Sequence, residues 1–316
     1  MMRLRIDLGY DGTHFHGWAK QPGLRTVQGV MEDSLSRILR LTGEDSQIRL
    51  TVAGRTDTGV HARHQVCHVD IEPEVISRAV GHLTDVEPPQ ALLHRLRHVV
   101  PDDIALLALK PAPLGFDARF SALERTYIYR ICDDWRYRDP RTRHFVLPVK
   151  TALDEDSLAA AAQMVVGLQD FGSFATPNPG GTTIREVKVA RWRRVPVVAE
   201  RAHSGGHGDG HGDASHGVED SYGALAVGAG TLEFTIVADA FAHNMVRSLV
   251  GAQVQVGLGK KSLDWFAEKL AHPVREGSAG PIGAQGLTLE HVAYPDDSEL
   301  ASRAQLIRAK RTLPAG

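Results

Sequence analysis

Apolar and polar residues alternate at the very start of the chain, where Leu4, Ile6 and Leu8 interleave with Arg3, Arg5 and Asp7. A period of two means a strand with one buried face. The period then changes: Val27, Val30, Met31, Leu35, Ile38 and Leu39 recur at helical spacing behind Thr26, a residue type that caps helix starts. Residues 47–52 and 65–71 read as strands around a turn bounded by Gly54 and Gly59, residues 74–83 and 90–99 as helices, and residues 104–109 as a buried strand. This β-α-β-β-α-β order predicts an α+β unit with helices on one face of an antiparallel sheet.

After Pro111-Ala112-Pro113 the pattern begins again. Residues 126–132 read as a strand, 156–166 as a helix capped from Asp154, and 184–195 and 231–238 as strands. A long helix is expected over 241–256, a further one behind Ser262, and a last strand over 287–292. The second half echoes the first. Two similar halves, residues 1–110 and 111–316, are therefore expected to share one continuous antiparallel sheet with a cleft between them, the boundary falling at 111–115. Residues 201–230 stand apart, with nine of the 31 glycines and four histidines. Interior glycine costs a helix about 1 kcal/mol each, so His203, His207 and His211 are not expected to line up on one. The segment reads as a flexible Gly/His-rich insertion without catalytic duty, weak zinc or nickel binding being the alternative.

Composition removes whole classes of function. The longest apolar run, residues 104–109, is far short of the ~20 residues a membrane helix needs. Charges at Arg3, Arg5 and Asp7 stand where a signal peptide would be apolar. Two cysteines, Cys67 and Cys132, make no disulfide framework and suit a reducing compartment. The cytoplasm is the expected location. The net charge of −2 hides two basic stretches: seven arginines against four acids over 119–143, and five Lys or Arg against Glu186 over 185–194. On one surface they would form a patch for phosphates; the plainer alternative is two solvated strand faces with counter-ions.

The chemistry concentrates in residues 53–62, Ala-Gly-Arg-Thr-Asp-Thr-Gly-Val-His-Ala. Gly54 and Gly59 let the backbone turn tightly around Asp57 and hold its carboxylate out of a scaffold. A polar turn in which Asp57 only caps amides is the plain alternative. Asp57-Thr58-Gly59 also matches the short aspartic-protease signature, but that chemistry needs a second carboxylate sharing one proton, and no second copy occurs. His61, His64 and His68 with His14 and His16 suggest zinc, yet no His-Glu-x-x-His or flanking carboxylate ligand accompanies them. His61 reads as a hydrogen-bonding structural residue.

The window resembles the signature of the tRNA pseudouridine synthase A (TruA) family. Further blocks resemble the same family in order: Tyr10-Asp11-Gly12-Thr13 with Gly17-Trp18, Phe116-Asp117-Ala118-Arg119-Phe120-Ser121-Ala122, Arg125-x-Tyr127-x-Tyr129, Asp170-Phe171-x-Ser173-Phe174, and Phe241-x-His243-x-Met245-Val246-Arg247. The resemblance runs from about residue 4 to Pro295. It implies an isomerase of uridines in the tRNA anticodon stem-loop (family positions 38, 39 and 40) that needs no cofactor or metal and works as a homodimer. By resemblance Asp57 is the catalytic carboxylate, Tyr127 the ring that stacks on the target base and Arg247 the ion partner of Asp57. Arg55 would fill the space of the extruded nucleotide or touch its backbone, with Arg119, Arg125 and His243 completing the substrate-binding set. Asp57 could attack C1′, attack C6 or abstract a proton. Core packing is the plain alternative for Tyr127 and an exposed surface place for Arg247. The reading from a different class is a non-catalytic RNA-binding protein using the same surfaces. The sequence departs from the family pattern in its long 201–230 segment, at Gly283, where Pro is common, and at Ala19.

Overall fold

The computed structural model describes residues 1–41, 48–81, 85–177, 181–197, 199–200, 224–275 and 280–306. The first half holds β1 (Met2–Tyr10), α1 (Val27–Ile38), β2 (Thr51–Val52), β3 (His61–Ile71), α2 (Pro73–Ile76), α3 (Pro88–Arg97) and β4 (Ile104–Pro111). The second begins with β5 (Glu124–Cys132), β6 (Leu147–Pro148), α4 (Glu155–Met164), β7 (Gly167–Asp170) and β8 (Ile184–Arg194). It continues with β9 (Ala199–Glu200), β10 (Ala224–Leu225), β11 (Leu232–Ala238), α5 (Met245–Gly257), α6 (Leu263–Ala271), β12 (Leu287–Ala293) and α7 (Leu300–Leu306). Helix starts follow the capping residues: Thr26 accepts from Gly29 N, Asp154 from Ser157 N and Ser262 from Trp265 N. Each cap satisfies an amide that has no partner inside its helix.

Ten strands form one sheet in the order β4-β1-β3-β12-β5-β11-β8-β7, with β2 on β3 and β6 on β5. The pairs are antiparallel except β3–β12 and β5–β6. The expected continuous antiparallel sheet is present, with a parallel contact at its centre, where β12 enters between the halves and runs parallel to β3. The direction follows from the loops. Both strands start where the loop carrying Gly59 meets the loop carrying Ala284; a Cβ at Gly59 would lie 3.1 Å from the Ala284 Cβ. Register then places Ala62, Leu289, Tyr127 and Ile236 in one row across four strands.

Helices α1 and α3 pack together on the first half, while α4, α5 and α6 pack together on the second. Phe234 and Trp192 lie beneath α5, the Trp192 indole N–H donating to Gln253 Oε1 at 2.7 Å. Fully burying a side chain such as Phe234, at 0% exposure, contributes about 1.5–3 kcal/mol. No helix among the described residues is long and apolar enough to cross a membrane.

Several elements differ from expectation. The helix expected over 241–256 begins only at Met245, because Asn244 sits at φ 62, in the left-handed region; a right-handed helix cannot run through such a residue. The helix expected over 74–83 breaks into α2 and a 3-10 turn, Ser77–Ala79. The strand expected over 47–52 is limited to β2 among the described residues. β7 and α7, four and seven residues long, were not anticipated. Residues 201–223, most of the Gly/His-rich segment, lie outside the described residues; the flanking β9 and β10 pair with each other apart from the main sheet.

Candidate active site

A cleft of about 1890 Å³ lies between α1 and the start of α5, walled by the turn at residues 53–58, by β5 and by residues 239–247. Asp57 stands on its first wall. The turn is fixed by close approach: a Cβ at Gly17, φ +80, would meet Thr56 O at 2.7 Å, so only glycine fits. Trp18 N donates to Thr56 O at 3.0 Å, Val60 N to Asp57 O at 3.1 Å and Gly59 N to Phe15 O at 3.2 Å. The hydroxyls of Tyr10 and Thr56 bond at 2.7 Å, and Gln65 Nε2 donates to both Tyr10 Oη and Gly54 O. Burial pushes the Tyr10 phenol up to about 12, which leaves it a neutral hydrogen-bonding group.

Arg125 fastens the turn from below. Its guanidinium donates to Asp239 O at 2.6 Å, Ala53 O at 2.7 Å and Arg119 O at 3.0 Å, joining three chain segments. Only 7% of the residue is exposed, and burial pulls its pKa below the ordinary value, although an arginine remains charged there. The resemblance implied substrate contact for Arg125; the residue lines the cleft while its terminal nitrogens hold these protein carbonyls.

Tyr127 lies two strands from β3, on the row through Ala62 and Leu289. It lines the cleft and meets Phe241 edge-on, with centroids 5.1 Å apart and planes at 89°. Burial, with the Asp57 carboxylate adding to it, pushes the Tyr127 phenol far above its usual range. Tyr129 shares this strand face, since residues two apart point the same way, and its hydroxyl donates to Gly283 O at 2.6 Å.

The opposing wall is the segment ahead of α5. His243 Nε2 lies 3.4 Å from Asp57 Oδ1, an ion pair whenever the imidazole is protonated. The expected partner, Arg247, makes no ion pair with Asp57. Its Nε donates to Ile282 O at 2.8 Å and one terminal nitrogen to Asn244 Oδ1 at 3.4 Å, while its side chain still lines the cleft. The turn at Ala242–Met245, with Asn244 left-handed, accounts for the exchange: it sets His243 opposite Asp57 and puts Arg247 in the first helical turn beside Ile282. Thr176 braces this turn: its N–H donates to His243 O and its hydroxyl oxygen accepts from Asn244 Nδ2.

Arg55 and Arg119 are exposed at the cleft, the latter with its guanidinium carbon 5.3 Å from the Phe120 ring centre. Of the two basic stretches only Arg119, Arg125 and Arg185 line it. Strand alternation turns others to the opposite face, where Arg130 bridges Glu233 and Glu290, Arg193 pairs with Glu233 and Lys188 with Glu124. The two basic stretches thus divide between a few cleft arginines and several residues paired with counter-ions on a strand face, as the plainer alternative has it. Sequence reasoning gave no place in the site to Phe241, Lys20 and Arg49, which also line the cleft; an aromatic two residues before His243 was the one signal for Phe241. His61 Nδ1 accepts from Gly12 N at 3.1 Å, and burial pulls its imidazole below the ordinary value, as a structural histidine requires. No three His, Cys, Asp or Glu side chains among the described residues converge as a metal site.

The arrangement sets the Asp57 carboxylate at the rim of a cleft lined by Tyr127 and Phe241, with cationic side chains beside it; Glu32, Asp33 and Asp239 line the cleft as well. A carboxylate so placed can act as nucleophile or base on a planar ligand lying against Tyr127. The family model described as tRNA pseudouridine synthase matches residues 9–121 and 161–295. The chain is 58% identical over 315 residues to a protein of Bifidobacterium longum named tRNA pseudouridine synthase A, covering 99% of this chain and all of that one. Proteins of the same name from Cutibacterium acnes and Streptomyces griseus are 41% and 42% identical, over 99% of this chain and 96% and 95% of their own lengths. With relatives aligned nearly end to end and a family model matched across both halves, the chain belongs to the tRNA pseudouridine synthase family.

Proposed function

We infer that this chain isomerises uridine to pseudouridine in tRNA, with Asp57 as the catalytic carboxylate and no cofactor. The observation that carries the reading is Asp57 itself, held by a pinned turn at a cleft floored by Tyr127 and faced by His243 and Arg247. The reaction conserves atoms. The bond from ribose C1′ to uracil N1 breaks, C1′ joins C5, the proton leaves C5, and N1 gains one. Asp57 has three ways to serve it: attack at C1′, attack at C6, or removal of a proton.

The base must first leave its stack, at a cost of a few kcal/mol. Stacking on Tyr127 recovers about 1–3 kcal/mol of that. Arg55 and Arg119, exposed at the cleft, take the RNA backbone, and Arg125 acts as a positioning residue through Ala53 and Asp239. The substrate region is the anticodon stem-loop, and the enzyme is a cytoplasmic homodimer with tRNA spread over both subunits. Sedimentation of the protein with and without tRNA tests the dimer. The non-catalytic RNA-binding reading leaves Asp57 without a task and is not favoured.

The deciding experiment incubates an unmodified tRNA transcript with wild type and with Asp57→Asn, followed by carbodiimide adduct formation and primer extension. Stops on the anticodon arm with wild type alone are expected, the variant losing about 10³-fold or more in rate while still binding tRNA. Absence of stops with both proteins, on bound tRNA, would return the chain to the RNA-binding class.

A further inference from the structure

A second cavity, of about 410 Å³, opens beside His243. It shares Arg119, Arg185, Phe241 and His243 with the main cleft and adds Arg275. Three arginines from three distant parts of the chain thus line one space, and among the described residues no carboxylate lines it. The convergence is tertiary and owes nothing to a charge run.

The cavity is built rather than incidental. Ser173, 1% exposed, bonds through its hydroxyl to both His272 O and Val274 O at 3.0 Å, pinning the backbone that leads to Arg275. Gly172 sits so tightly on the same segment that a Cβ would stand 2.4 Å from Pro273 O. Arg185 is steadied by its own strand, donating to Ile184 O at 2.6 Å and reaching Thr182 Oγ1 at 3.5 Å. Arginines that line one space can offer an anion several donors at once. The planar guanidinium fork matches phosphate.

We propose that this cavity is a phosphate subsite for RNA, which seats a phosphodiester adjoining the reacting uridine on Arg119, Arg185 and Arg275 while the uridine lies against Tyr127. It rests on the reading of the chain as a tRNA-modifying isomerase. The position beside His243, which contacts Asp57, puts the subsite next to the chemistry. Its occupant would hold the flipped nucleotide in place from the backbone side.

The test uses anticodon stem-loop RNAs in which one phosphate at a time is replaced by a neutral methylphosphonate, with affinity read by filter binding and pseudouridine by carbodiimide stops. Neutralising a linkage beside the modified uridine is expected to weaken wild-type binding about tenfold, as loss of a charge-assisted hydrogen bond should. Arg275→Ala should weaken binding of the unmodified RNA similarly and lose sensitivity to that same linkage. Arg193→Ala, on the opposite sheet face and paired with Glu233, should behave as wild type. Equal sensitivity in Arg275→Ala and wild type, or no sensitive linkage beside the target, would overturn the subsite. Because the scan reads binding separately from chemistry, a sensitive linkage that Arg275→Ala abolishes, with no pseudouridine formed, would keep the subsite and sink the isomerase reading.

Discussion

The Asp57 turn is held from several sides, by Gly17 against Thr56, by the Tyr10–Thr56 hydroxyl pair and by Arg125 beneath Ala53. The wall facing it is fastened mainly through backbone and through Asn244, and the His243 side chain is 53% exposed against 28% for Asp57. One wall thus fixes where the Asp57 carboxylate stands. The other offers cationic groups that can follow an RNA as it enters. Precision sits on one side of the cleft and adaptability on the other, as expected when a base must be drawn out of its stack before it can react.

Arg125→Leu should break this division most severely, since it leaves Ala53, Asp239 and Arg119 carbonyls without their donor. A loss of about 3–5 kcal/mol in urea-unfolding stability is expected, and unchanged stability would mean that the turn holds itself. On the adaptable wall, Arg247→Ala should lower turnover roughly 10²-fold with tRNA affinity within about threefold; full turnover would remove Arg247 from the site. Gly59→Ala forces a side chain into φ +76 and against Ala284, which should cost about 1–2 kcal/mol and show as a lowered melting midpoint.

A gentler test uses pH. Burial holds the imidazoles of His61 and His68 below their ordinary value, and each accepts a backbone N–H, from Gly12 and Ala118, that a doubly protonated ring could not. The unfolded chain therefore takes up protons near pH 6.5 that the folded chain refuses, so stability should fall as pH drops below about 6.5. His68→Gln should flatten that slope in urea titrations between pH 7.5 and 5.5; an unaltered slope would assign the effect elsewhere. The smallest effect belongs to the Gly/His-rich segment. Replacing residues 203–221 with Asn-Gly should leave turnover within about twofold, because Glu200 and Ala224 already pair across it and the site lies elsewhere.

Much of this was legible in the sequence because the causes are local. Period-two alternation fixes β1, and Thr26, Asp154 and Ser262 mark three helix starts. Two glycines around one aspartate expose the Asp57 turn. What was not legible depends on contacts between distant residues or on a single backbone angle. The apolar spacing of Phe241, Met245 and Leu249 continues a helical pattern straight through Asn244, and nothing in that spacing shows that Asn244 adopts the left-handed conformation. The extended helix in turn concealed which cation faces Asp57. Arg125 reads as one more basic residue until its three carbonyl partners, from three parts of the chain, are seen together. The insertion of β12 beside β3 is likewise invisible to any window of neighbouring residues.

That insertion also bears on how the protein is made. Tyr127 and Ala62 meet their common neighbour only when Leu289 arrives between them. During synthesis from the amino end, β3 and β5 therefore each present a bare edge from the time they emerge until residues 287–293 follow. Unpaired edges invite foreign strands, and closing a contact so distant along the chain is slow. A nascent chain stopped short of β12 would hold the aspartate and the tyrosine on separate pieces, so no activity is expected before that strand leaves the ribosome.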